Sequence, residues 1–139
     1  MSYLDDNRFE TMGILKKLGQ RLSEHPDHLR AQGIRNQCGR LDGVEQIAVI
    51  RPRTKARVAG VVQSIMVVPR GPGRSSLEVQ IYDGTDEVTA VWFGRRRIKG
   101  IDLGSGLILN GTIGRFGDDR LKMINPAYQL LPAGFGTQH

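Results

Sequence analysis

The sequence predicts a mainly-β fold: a small five-stranded barrel preceded by an N-terminal helical extension of one or two helices. Three observations predict it. The apolar period changes from about 3.6 to 2 near Lys55. From there to Ile124, short alternating runs are separated by Gly-, Pro- and Asp-containing turns. The chain has 139 residues, 39% of them hydrophobic, which suffices for one domain with a core and a small appendage.

Residues 5–23 read as a helix, because Leu4, Met12, Leu15, Leu18 and Leu22 recur at helical spacing, with Phe9 and Ile14 widening the stripe. Asp5 or Asp6 stands at the N-cap, and Lys16, Lys17 and Arg21 fall where the macrodipole favours cations. A second helix starts at Pro26, a good first-turn residue, and stops before Gly39. Leu41–Arg53 is a connector. The first strand, Lys55–Val68, sets Val58 and Val62 against Arg57, Ala59, Val61 and Gln63, and its internal Gly60 suggests a bend shared by two halves of a barrel. Pro69–Ser75 reads as a loop. In the second strand Leu77, Val79 and Ile81 alternate with Glu78, Gln80 and Tyr82; Asp83-Gly84-Thr85 turns the chain; in the third, Val88, Ala90 and Trp92 alternate with Thr89, Val91 and Phe93. Arg95–Leu103 reads as a short helical connection with Ile98 and Ile101 inward. Leu107–Phe116 and Arg120–Ile124 are the last two strands, joined by a turn at Gly117-Asp118-Asp119 and ended by Asn125-Pro126. The expected organisation is a helical extension over 1–45, the barrel domain over 46–131 and a flexible tail over 132–139.

Charge is distributed unevenly. Residues 1–50 carry seven basic and seven acidic side chains, so the whole net charge of +6 lies in residues 51–139. A polyanion would be met there. The densest point is Trp92-Phe93 followed by Arg95, Arg96 and Arg97, and an exposed aromatic beside arginines suits an unstacked base and its phosphate. The alternative is a Phe93 inside the barrel with Trp92 outside, since a one-residue register change swaps the faces. Arg51, Arg53, Lys55 and Arg57 alternate, and in an extended segment they form a basic stripe along one edge.

Five strands with a helical insert between the third and fourth is the element order of an OB-fold. The run VAGVV, LEVQIYDGTDEVTAVWFG, LGSGLILNGTIG and LKMINPAYQLL, within Arg51–Leu131, resembles the OB domains of single-strand DNA-binding proteins. It is more similar to the wedge domain of RecG-type branch-migration helicases, and to small stand-alone actinobacterial OB-fold proteins. The motor domains of a helicase do not fit in this length. The resemblance implies binding across strands two and three between two loops. It implies Phe93 as a stacking aromatic, with Gln80 and Tyr82 on the second strand, Arg57 and Gln63 on the first, and Arg70 and Arg74 in the first loop. Arg120 stands where eukaryotic relatives place a second aromatic; Lys122 on the same strand is a further candidate contact.

Other chemistries lack their residues. His25, His28 and His139 have no second ligand pair at a usual spacing, so no metal or other cofactor is expected. The single Cys38 permits no internal disulfide and reads as a buried small hydrophobe. Pro69–Arg74 lacks the Lys-Ser/Thr ending of a nucleotide cradle. Asp83, Asp86, Asp118 and Asp119 sit at turns, where aspartate serves the backbone. No apolar run reaches the roughly 18 residues of a membrane span, and the acidic N-terminus is unlike a secretory signal. The expectation is a cytoplasmic, non-enzymatic protein that binds single-stranded or branched DNA with little sequence readout. The alternatives are an RNA-binding protein and a protein-interaction module that docks a partner or a second copy, the Leu4–Leu22 stripe being one candidate surface.

Overall fold

Between Thr54 and Ile124 five strands close into a ring. The computed structural model describes residues 26–117 and 119–136; the helix predicted over 5–23, with its Leu4–Leu22 stripe, lies outside them. The strands are β1 (Thr54–Gly71), β2 (Arg74–Tyr82), β3 (Glu87–Phe93), β4 (Gly106–Phe116) and β5 (Arg120–Ile124). They run in the order β1-β2-β3-β5-β4, and β4 pairs back onto β1. Every pairing is antiparallel except β3 with β5.

Closure rests on β1. Its first half, Thr54–Val61, pairs with β4, and its second half, Val61–Gly71, pairs with β2. The strand changes partner beside Gly60, as the internal glycine predicts. A Cβ at Gly60 would stand 2.7 Å from the backbone oxygen of Tyr82, so only glycine lets β2 cross there. Inside the ring, Val58, Val62, Val79, Ile81, Ala90, Leu107, Leu109, Ile113 and Met123 form the main core with Trp92.

Helix α1 spans Pro26–Gly39. Its second half packs on the outer side of the ring: Ile34 and Cys38 meet Ala59, Val61 and Ile108 in a second core. This explains why β1 is apolar on both faces around Val58–Val62. The connector is tied down by Asp83, whose buried carboxylate accepts from Ile47 N at 2.8 Å through one oxygen. Its other oxygen accepts from Thr85 N, Thr85 Oγ1 and Asp86 N at 2.6–3.0 Å. The turn aspartate therefore serves the backbone.

Four elements differ from the sequence reading. Residues 94–105 form turns, not a helix, because Gly94, Gly100 and Gly104 all have positive φ, which a right-handed helix does not admit. Ile98 and Ile101 are nevertheless buried. Pro69–Ser75 is not a loop: β1 and β2 continue as a hairpin arm that turns at Gly71–Gly73. A sixth strand, β6 (Ala127–Leu130), pairs with Leu107–Asn110 of β4; at four exposed residues it has no alternation to reveal it. The segment read as a flexible tail is held as far as Gly136: Phe135 packs against the second core, and Gly136 N donates to Gln37 Oε1 at 2.6 Å.

Two measurements test this architecture. Gly60→Ala is expected to cost about 1–3 kcal/mol by urea unfolding, from forced overpacking against backbone. Gly39→Ala, with nothing within 4 Å of the new methyl, is expected to change stability by less than about 1 kcal/mol. Burial, reinforced by the Asp83 carboxylate, pushes the Cys38 thiol up to about 12. An ordinary thiol ionises near 8.5. The neutral thiol therefore contributes stability that is complete below about pH 8.5 and fades as pH rises toward 12. Cys38 is expected to resist a disulfide reagent at pH 8 in the folded protein and to react once urea is added.

Candidate nucleic-acid interface

The end of β3 is set by a clamp from the far end of β5. Asn125 takes a positive φ of 49°, its N–H donates to Val91 O at 2.6 Å, and its side-chain oxygen accepts from Phe93 N at 3.1 Å. The next residue, Pro126, accepts the Trp92 indole N–H through its carbonyl at 3.0 Å. The Trp92 ring also meets Tyr128 of β6 edge-on, with centroids 5.7 Å apart. Trp92 is thus anchored inward at 6% exposure, and strand alternation turns Phe93 outward at 51%.

Opposite Phe93 on β2 is Ser76. Its hydroxyl accepts from Arg70 Nε at 2.9 Å, while Arg70 NH2 pairs with Glu78 at 3.0 Å. These two bonds hold the guanidinium 5.7 Å from the Phe93 ring centroid, within cation–π range. A groove of about 660 Å³ opens there, lined by Arg70, Gly73, Arg74, Ser75, Phe93, Gly94 and Arg96. The hairpin arm forms one wall and the turn after β3 the other. One flat aromatic and three guanidinium groups in a concave site can stack a planar ring and pair with phosphate.

The remaining candidates are distributed over other walls. Arg95 and Arg97 are exposed but do not line this groove. The predicted basic stripe does not form, because Arg53 sits in a turn at φ 70°, outside β1. Lys55 and Arg57 share a second groove of about 320 Å³ on the β1–β4 wall. Arg57 is a structural brace there, donating to Asp42 O at 3.1 Å and Asn110 Oδ1 at 3.3 Å. Gln63 falls at the irregularity between Val62 and Ser64 where the β1–β2 register shifts.

Tyr82 packs against the second core and donates to Gly84 O at 3.4 Å, so it is not an open platform. Gln80 is engaged by Glu87 at 3.0 Å. Arg120 lines a third groove of about 280 Å³ with Gln80, Asp86, Glu87, Thr89, Arg115, Asp119 and Leu121, where charges are mixed. Lys122 lies opposite Thr89, midway along the sheet. Sequence reasoning missed Ser76, Glu78 and Asn125, which position Arg70 and Phe93. A serine or glutamate on a strand face carries no signal of its own; the Asn-Pro pair did, but only as a strand stop.

No family model and no curated protein matches the chain. Among solved structures it is similar to RecG bound to a three-way DNA junction, at 15% identity and a TM-score of 0.53 over 67% of this chain. It spans only 13% of the length of that protein. It is also similar to an OB domain from Methanosarcina mazei (15% identity, TM-score 0.48, covering 69% of this chain and 91% of that one). A further likeness is to Schizosaccharomyces pombe Pot1pC bound to single-stranded DNA (10% identity, TM-score 0.48, covering 66% and 88%). The likeness to RecG speaks to the fold alone, and it agrees with the strand order and closure described above: residues of β1 to β5 make an OB-fold barrel, lengthened by a sixth strand.

Proposed function

We propose that the barrel domain, residues 46–131, binds single-stranded or branched DNA without catalysis. The observation that carries this reading is the exposed Phe93 ring in a groove walled by Arg70, Arg74 and Arg96. An unpaired base stacks on the ring and the guanidinium groups meet its phosphates. A paired base offers no free face to the ring, which is the reason for preferring a single strand or the unpaired region of a branch. The RecG structure, solved on a three-way DNA junction, supports DNA as the ligand to try first. Little sequence readout is expected, because the Gln80 amide is already bonded to Glu87 and the Glu78 carboxylate to Arg70. The reading places the protein in the cytoplasm; no described helix is long and apolar enough to cross a membrane.

Self-association is a second reading with one observation in its favour. Beyond Val62 the edge of β1 away from β2 has no ladder partner among the described residues, and Ile65, Met66 and Val67 are exposed along it. Such an edge can pair with a second copy. Sedimentation of the free protein distinguishes the two: a monomer removes the second reading.

The test of the first is fluorescence anisotropy with a labelled strand of roughly 20 nucleotides, its duplex and the matching RNA, across a salt series. Single-strand affinity is expected to fall with salt at a log–log slope of about −2, the value for three neutralised phosphates. Phe93→Ala is expected to weaken binding by about 5- to 150-fold, equivalent to the ~1–3 kcal/mol of one stacked base, with the slope unchanged. Equal weak binding of all three ligands, indifferent to Phe93→Ala, overturns the reading. Tighter RNA than DNA binding reassigns the ligand and leaves the site in place.

A further inference from the structure

We propose that the Phe93 groove captures the end of a strand, taking a terminal nucleotide that bears a phosphate monoester. The inference rests on the single-strand reading above and narrows its ligand. Three features of the face carry it.

The platform is one ring long. The outward neighbours of Phe93 along β3 are Val91 and Thr89, both buried, so a second base finds no exposed aromatic beside the first. The charge is local. Arg70 is compensated by Glu78, but no hydrogen bond or ion pair is found for Arg74 or Arg96 among the described residues, and both are exposed. Two uncompensated guanidinium groups match a terminal monoester, which carries about −1.5 to −2 at neutral pH, better than an internal diester, which carries one charge. The positive charge does not continue along the sheet. Toward the other end of the sheet a separate groove holds Asp86, Glu87 and Asp119 beside Arg115 and Arg120, with Lys122 opposite Thr89 on the way, and Arg115 is itself paired with Asp119 at 3.9 Å. Three carboxylates face three cations there, so a phosphate chain continuing in that direction meets no net positive charge. The cationic groove is thus not continued by a second basic groove in that direction.

The test uses the full chain and a 12-nucleotide DNA labelled at an internal position, carrying a 5′-phosphate, a 3′-phosphate or hydroxyls at both ends. A circular single strand serves as unlabelled competitor. One phosphorylated end is expected to tighten binding by about tenfold or more. The gain should be lost as pH falls through about 6, where the monoester takes up its second proton. Arg74→Gln and Arg96→Gln, both at exposed positions, are each expected to reduce the phosphorylated strand toward the hydroxyl-ended one, while Phe93→Ala weakens both alike. The identity of the favoured end follows from which phosphate produces the gain. A circle that competes as well as a linear strand, or a phosphate effect under twofold, overturns the inference. If binding in that case is still lost on Phe93→Ala, the single-strand reading stands without it; if no strand binds at all, both fall.

Discussion

The ring exists because one strand serves two partners. β1 has to leave β4 and take up β2 within a few residues, and the point of exchange is where the Tyr82 backbone passes over Gly60. Backbone hydrogen bonds cannot be left unmade in a buried ladder, so β1 must bend sharply enough for both registers to be satisfied at Val61. The second consequence of the bend is directional. It sends the outer half of β1 past the barrel wall as a hairpin arm with β2, and that arm carries Arg70 and Arg74 to the Phe93 groove. Closure and the geometry of the candidate groove thus share a cause.

Part of the positive charge of the barrel is engaged within the fold. The net excess of +6 in residues 51–139 suggests a uniformly basic face. The folded chain shows something narrower. Arg70 is paired with Glu78 and Arg115 with Asp119, while Arg57 braces the connector through uncharged acceptors. Arg74 and Arg96, both exposed, line the groove beside the ring. Surface ion pairs of this kind contribute little stability, about 0–1 kcal/mol each. Their effect here is on the shape of the electrostatic field.

Much of this was legible in the sequence. Period-two alternation marked the five ring strands, Gly60 marked the bend, and Pro26 and Gly39 marked the limits of α1. The sequence also set Trp92 and Phe93 on opposite faces without saying which was which. That was decided by Asn125 and Pro126, more than thirty residues away, through bonds that no local pattern encodes. The helical insert was misread because Ile98 and Ile101 have helical spacing while three surrounding glycines at positive φ forbid the helix. The basic stripe was misread because alternation implies one face only if the segment is extended, and Arg53 is not. The hairpin arm reads as a loop in the sequence because proline and glycine at its apex outweigh the strand character of its sides.

The clamp on β3 has an optical consequence. Trp92 is the only tryptophan in the chain, and it occupies the residue before the exposed ring, on the reverse side of the same strand. Its indole N–H is fixed to a carbonyl and its edge meets a tyrosine, so its emission depends on the integrity of the Asn125–Pro126 corner. The corner and the platform are a single mechanical unit. The chain therefore carries an intrinsic fluorophore seated directly behind its candidate binding surface, and a disturbance of that surface can be followed as a change in colour or intensity without attaching a dye.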